Sequence, residues 1–240
     1  MQILMVLLGL LEQIENDQFP LKVKADLKEL IAAAPSITSN PRDKTDGNIS
    51  ILTAMLTILL GTVQDLYGIG DETEVSLHPQ FLDYQQSQIR FLVGDAPRGI
   101  VVLGRYVRTW EEVFYDLCHE SLHLLDPVLN IEEAMVSALE EGVAVKFAEQ
   151  MYAKHIKPYC DSIPVTSPVR APQSQYFRAY CAAEKIPDDV LRGIRNAFGR
   201  FSNINHVNKF RELTMAYLNE TEIEVLMAPV FYPRSTSVRI

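Results

Sequence analysis

His119-Glu120-Ser121-Leu122-His123 is the stretch of this chain best suited to chemistry. Residues four apart on a helix sit one above the other, so both imidazoles would project from one face, close enough to share a metal ion. Glu120 follows the first histidine and leans over the same site, where it can take a proton from water on that ion. At average composition the pattern arises by chance in roughly one chain in two hundred of this length, so its surroundings must decide.

Those surroundings read as a helix. Thr109-Trp110-Glu111-Glu112 is a capping box that should start it, and Asp126-Pro127 should end it. Val113, Leu117 and Leu124 form an apolar stripe, broadened by Phe114, Leu122 and Leu125. Glu112, Asp116, His119, His123 and Asp126 follow one another at steps of three and four on another face, so the helix is amphipathic and its polar face carries the motif. The plain alternative is a solvated face that happens to hold two histidines. It makes no use of a third ligand.

Zinc in a catalytic site takes three protein ligands and keeps one position open. Downstream stands Ser137-Ala138-Leu139-Glu140-Glu141-Gly142-Val143-Ala144, on a second helical segment. His-Glu-x-x-His followed by Leu-x-Glu-Gly-x-Ala resembles the gluzincin branch of the zinc metallopeptidases, over about residues 113–148. The resemblance implies a bound Zn2+ held by His119, His123 and Glu141, with Glu120 as general base and a peptide or protein as substrate. Many gluzincins carry an Asp four residues after the ligand Glu, which orients the first His; Val145 stands there in this chain. A ligating His needs such an acceptor, so Asp116, Asp126 or a backbone carbonyl must take its place. The aromatic and Gly-Asn residues that follow the second His in the aminopeptidases are also replaced, by Leu124-Leu125-Asp126-Pro127.

The start of the second helix decides whether Glu141 can reach. Asn130-Ile131-Glu132-Glu133 is one capping box; a helix beginning there would set Glu141 about 16 Å along it. Ser137-Ala138-Leu139-Glu140 is another, and would put Glu141 in the first turn. Glu133 and Glu140 are therefore the competing ligands.

At 240 residues with balanced hydropathy the chain can bury a substantial core. A formal charge of −9 with no offsetting basic patch argues against nucleic acid. Cys118, Cys160 and Cys181 lack framework spacing and suit reduced thiols in the cytoplasm. Cys118 points about 100° away from His119 on a helix, so it reads as a buried apolar thiol. The apolar run Ile3 to Leu11 lacks a basic flank and a cleavage site and is too short to span a bilayer. Ile49 to Tyr67 is longer, but Thr53, Thr57, Thr62 and Gln64 interrupt it, which makes it a core helix rather than a stable membrane span.

The expected fold is α+β and mostly helical, zincin-like, with a small sheet before the active-site helix and a C-terminal helical subdomain. Helices are expected at about 2–16 and 21–34, then strands at Glu74–His78, Gln88–Val93 and Gly99–Leu103, an edge strand lining the cleft. Residues 1–156 would hold the N-terminal helices, the sheet and the zinc-motif helices, residues 157–174 a loop or lid, and residues 175–240 the C-terminal subdomain, all as one compact unit. Helices within that subdomain are expected at about 175–183, 187–201 and 205–227. Tyr176, Tyr180, His206 and Tyr217 are the candidates to steady an oxyanion. His78 and His155 read as surface residues. Gly68-Ile69-Gly70 lacks the setting of a phosphate loop. The first reading is a zinc-dependent hydrolase. The alternative is a zincin-like regulatory or interaction domain in which the metal is structural or absent, and a third reading is a plain helical interaction module.

Overall fold

The computed structural model describes residues 37–70, 74–92, 98–127 and 136–230, together with the isolated positions Val6 and Gly9. Apart from Val6 and Gly9, which are helical, the expected helices at 2–16 and 21–34, and the capping box at Asn130 with Glu133, lie outside the described residues. What is described is mixed α+β and mostly helical.

Helix α1, Asp46–Tyr67, is capped by Thr45, whose hydroxyl accepts from the Asn48 amide. Among the described residues it is the one helix long and apolar enough to cross a membrane, yet Ile51, Met55, Leu56, Ile58, Leu59 and Val63 are all fully buried within the fold. Its threonines do not interrupt it, because Thr53, Thr57 and Thr62 return their hydroxyls to backbone carbonyls four residues back. A three-stranded sheet follows: β1 Val75–Phe81, β2 Gln88–Leu92 and β3 Arg98–Leu103, in the order β1-β3-β2. Strand β3 runs parallel to β1 and antiparallel to β2, which leaves β2 at an edge among the described residues. The run Ile100–Leu103 is buried throughout, in keeping with its continuous apolar character.

Helix α2, Trp110–His123, begins at the expected capping box: the Thr109 hydroxyl accepts from the Glu112 amide and the Glu112 carboxylate accepts from the Thr109 amide. It ends before Asp126-Pro127, because Asp126 turns away to a buried pair with Arg195. Gly70 passes directly beneath this corner; a Cβ there would stand 2.3 Å from the Leu125 carbonyl oxygen.

Helix α3, Ala138–His155, starts at the later of the two capping signals, with Ser137 as N-cap. A short pair, β4 Val136–Ser137 with β5 Pro229–Val230, fixes that start, and the Ala138 amide donates to Ala228 O at 2.9 Å. The Ser137 hydroxyl accepts from the Glu140 amide and donates to Phe201 O at 2.9 Å. Helices α4 Gln175–Ala183 and α5 Asp188–Phe198 follow. The segment expected as one helix over 205–227 is two, α6 Val207–Thr214 and α7 Glu220–Met227, because Asn219 and Glu222 form a further capping box. One hydrophobic core runs through α1, β3, α2, α3 and the C-terminal helices. Lys146 crosses it to reach Ile186 O and Asp188, which also accepts from the Tyr67 hydroxyl.

Candidate metal centre

The polar face of α2 is largely withdrawn from solvent, with Asp116 and Asp126 buried and Glu112, His119 and His123 partly so. It packs along α3, and Asp116, Glu120, Glu140 and Glu141 are all removed from water. Burying carboxylates is costly unless each finds a partner, so their partners define the site.

His119 and His123 meet the first turn of α3. His119 Nε2 and His123 Nε2 lie 3.2 Å apart. Glu141 Oε2 is 3.4 Å from the first and Glu141 Oε1 is 3.5 Å from the second. Zinc holds nitrogen and oxygen donors at about 2.0–2.2 Å in a tetrahedron, which separates neighbouring donors by roughly 3.3–3.6 Å. These contacts span four atoms, since Glu141 meets His119 through Oε2 and His123 through Oε1, and each is close to the donor spacing of that tetrahedron. Both oxygens of Glu141 are fully buried and accept no hydrogen bond among the described residues. A divalent ion is the partner that would satisfy them and both imidazole nitrogens together, so the donor set fits zinc. His119, His123 and Glu141 are also the only His, Cys, Asp or Glu residues among those described that gather closely enough to hold a metal ion.

The local sequence explains how Glu141 arrives. With Ser137 as N-cap, Glu140 and Glu141 occupy the first turn of α3, where unpaired amides and the helix dipole favour carboxylates. Glu140 stands apart from His119, His123 and Glu141 as a group. Its Oε1 is 2.9 Å from His123 Nδ1, on the far side of the ring from the triangle. Ser137 therefore caps α3, but Glu140 does not complete the capping box, because its carboxylate is drawn to His123 instead.

Asp116 and Asp126, expected as partners of a ligand histidine, are engaged elsewhere. Asp116 accepts hydrogen bonds from the Ser87 hydroxyl, at the head of β2, and from the Thr166 hydroxyl at 2.5 Å. Asp126 pairs with Arg195. The segment 157–174 is fastened down: Ser167 donates to Glu149 at 2.5 Å, and the same carboxylate oxygen accepts from Tyr115 at 2.9 Å. It contains a 3-10 turn at Pro168–Arg170.

Glu120 lies beside the triangle and outside it. Burial raises its carboxyl to about 7 against the lowering pull of His119 and His123, and Asp116 and Glu141 add to the rise. Such a group exchanges a proton near neutrality. Burial would lower His123, but Glu141, and then Glu140, outweigh it and hold its imidazolium up to about 10 in the metal-free protein. Of the oxyanion candidates, Tyr176 stands in the field of Glu141 and Glu120, which with burial raises its hydroxyl. The Tyr180 hydroxyl donates to Glu184, while His206 and Tyr217 are exposed on and beside α6. His155, expected at the surface, is buried edge-on to Phe114 with ring centroids 6.1 Å apart. His78 is exposed, and Cys118 is fully buried with its thiol pushed well up by burial. No protein-family model matches the chain, and neither a curated protein nor a solved structure matches it.

Proposed function

We propose that this chain is a zinc-dependent peptide-bond hydrolase with a zincin-like core. The observation that carries the reading is a buried triangle of His119, His123 and Glu141 with a fourth carboxyl, Glu120, held beside it and not needed to complete it. A structural metal site has no comparable use for that group. Zinc, when bound by the three, supplies Lewis acidity toward a carbonyl and lowers the pKa of water. Glu120 accepts the proton released when water attacks and returns it to the leaving amine, a pair of transfers for which a buried carboxyl beside the metal ligands is placed. Tyr176, on α4, is the donor we assign to the developing oxyanion, since it is the candidate that senses the charge of Glu141 and Glu120. The edge strand β2 adjoins the motif helix through Ser87 and Asp116, where an extended peptide could pair with it. The substrate is a peptide or protein rather than nucleic acid, given the charge of −9. The three free thiols suit the cytoplasm.

One observation favours the second reading, a non-catalytic metal-binding or regulatory domain: the histidine side chains are only 19% and 12% exposed, which restricts approach to the metal. Protein purified without a histidine tag decides between them. Equimolar zinc by elemental analysis, with cleavage of a peptide library that a chelator abolishes and zinc restores, is the expected result. Zinc-loaded protein that cleaves nothing would assign the chain to the second reading, and absence of metal would remove the hydrolase and leave only the regulatory or interaction domain without a metal.

A further inference from the structure

We propose that Glu140 is a positioning residue whose negative charge fixes the His123 tautomer and strengthens His123 as a ligand. The assignment rests on the metal-site reading above. His123 is spanned across its ring: Nε2 faces His119 Nε2 at 3.2 Å and Glu141 Oε1 at 3.5 Å, while Nδ1 faces Glu140 Oε1 at 2.9 Å. A nitrogen that binds metal carries no proton, so the ring's one proton must reside on Nδ1. A carboxylate opposite Nδ1 can only accept, so it selects that tautomer and adds electron density to the ring.

Three features make Glu140 more than a neighbour. Its side chain is buried and its second oxygen, Oε2, has no hydrogen-bond partner among the described residues, so no other contact accounts for its place there. Its backbone is locked by the Ser137 hydroxyl at 3.1 Å, in the same helical turn that delivers Glu141. One turn of α3 thus supplies both a ligand and the group behind another ligand. Val145, one turn after Glu141, is buried and apolar, so it supplies no charge behind either histidine.

The test uses the full chain as wild type, Glu140→Gln and Glu140→Ala, with zinc affinity measured by chelator competition. Histidine tautomers of the zinc-loaded protein are read by nitrogen-15 NMR. Glu140→Gln keeps size and an acceptor but loses the charge, so it should bind zinc about 10–100-fold more weakly with His123 still protonated at Nδ1. Glu140→Ala should be weaker again, and its Nδ1 proton, left without an acceptor, should lose its downfield shift. Unchanged affinity and tautomer in both variants would overturn the assignment and leave the metal site standing. Loss of all zinc from Glu140→Gln, with the fold intact by circular dichroism, would also overturn it, by making Glu140 a ligand. A wild type that binds no zinc would instead overturn the metal reading itself.

Discussion

A Cβ added to Gly142 would lie 2.6 Å from the carbonyl oxygen of Ala179 and 3.0 Å from the Ala183 methyl. The glycine after Glu141 is therefore where α3 and α4 come into backbone contact, and that contact brings Tyr176 of α4 toward Glu141. Gly142→Ala should force the helices apart at a cost of about 1–3 kcal/mol. Because Glu141 is the preceding residue, the variant should also lose zinc affinity. Thermal unfolding and chelator competition check the two effects, and a variant as stable and as zinc-avid as wild type would contradict the packing account.

The third ligand is tested by alanine substitution along the acidic run. Glu141→Ala should reduce zinc affinity by more than the roughly 10–100-fold expected of a supporting contact, because it removes one corner of the donor triangle. Glu133→Ala should leave the metal in place. Elemental analysis after dialysis distinguishes them; zinc retained by Glu141→Ala but lost from Glu133→Ala would transfer the role to Glu133.

Much of this site is legible in the sequence. The capping box at Thr109 marks the start of α2, and the histidine spacing places both rings on one face. Two capping signals precede Glu141, and residue types alone cannot choose between them. The choice of Ser137 depends on Phe201 and Ala228, which are remote in sequence and hold the start of α3. Burial of the polar face was equally out of reach. It requires Ser87 and Thr166 to satisfy Asp116 and Arg195 to satisfy Asp126, and none of these pairings leaves a periodic trace. His155 misleads for a related reason. Its lysine neighbour suggests solvent, while the ring itself turns inward to Phe114.

The metal-free protein should lose stability as pH rises. His123 is held up to about 10 in the fold against an ordinary 6.5, so its contribution is complete below about 6.5 and is lost toward 10. Glu120, raised to about 7 from 4.5, adds a loss over that lower range. Zinc displaces the His123 proton, so apparent zinc affinity should rise about tenfold per pH unit for each proton released. Melting temperatures with and without zinc between pH 6 and 9 should therefore diverge as pH increases. Metal-free protein that grows more stable across that interval would contradict the assigned partners of His123.

The last expectation separates proton transfer from metal binding. Glu120 lies outside the donor triangle, so Glu120→Gln should keep its zinc and its fold while peptide hydrolysis falls by about 10²–10⁴-fold. Removing a buried carboxyl that ionises reluctantly should, if anything, stabilise the protein near neutral pH. Tyr176→Phe should likewise keep zinc and lose about 10²–10³-fold in kcat with little change in KM, because an oxyanion forms only in the transition state. Its hydroxyl has no hydrogen bond to a described residue that the substitution would break, so a loss of rate cannot be charged to a lost structural contact. Zinc content, melting temperature and steady-state kinetics on the same two variants supply the readouts. Turnover that survives Glu120→Gln would exclude this residue as the base, and an unchanged kcat in Tyr176→Phe would return the oxyanion role to another donor.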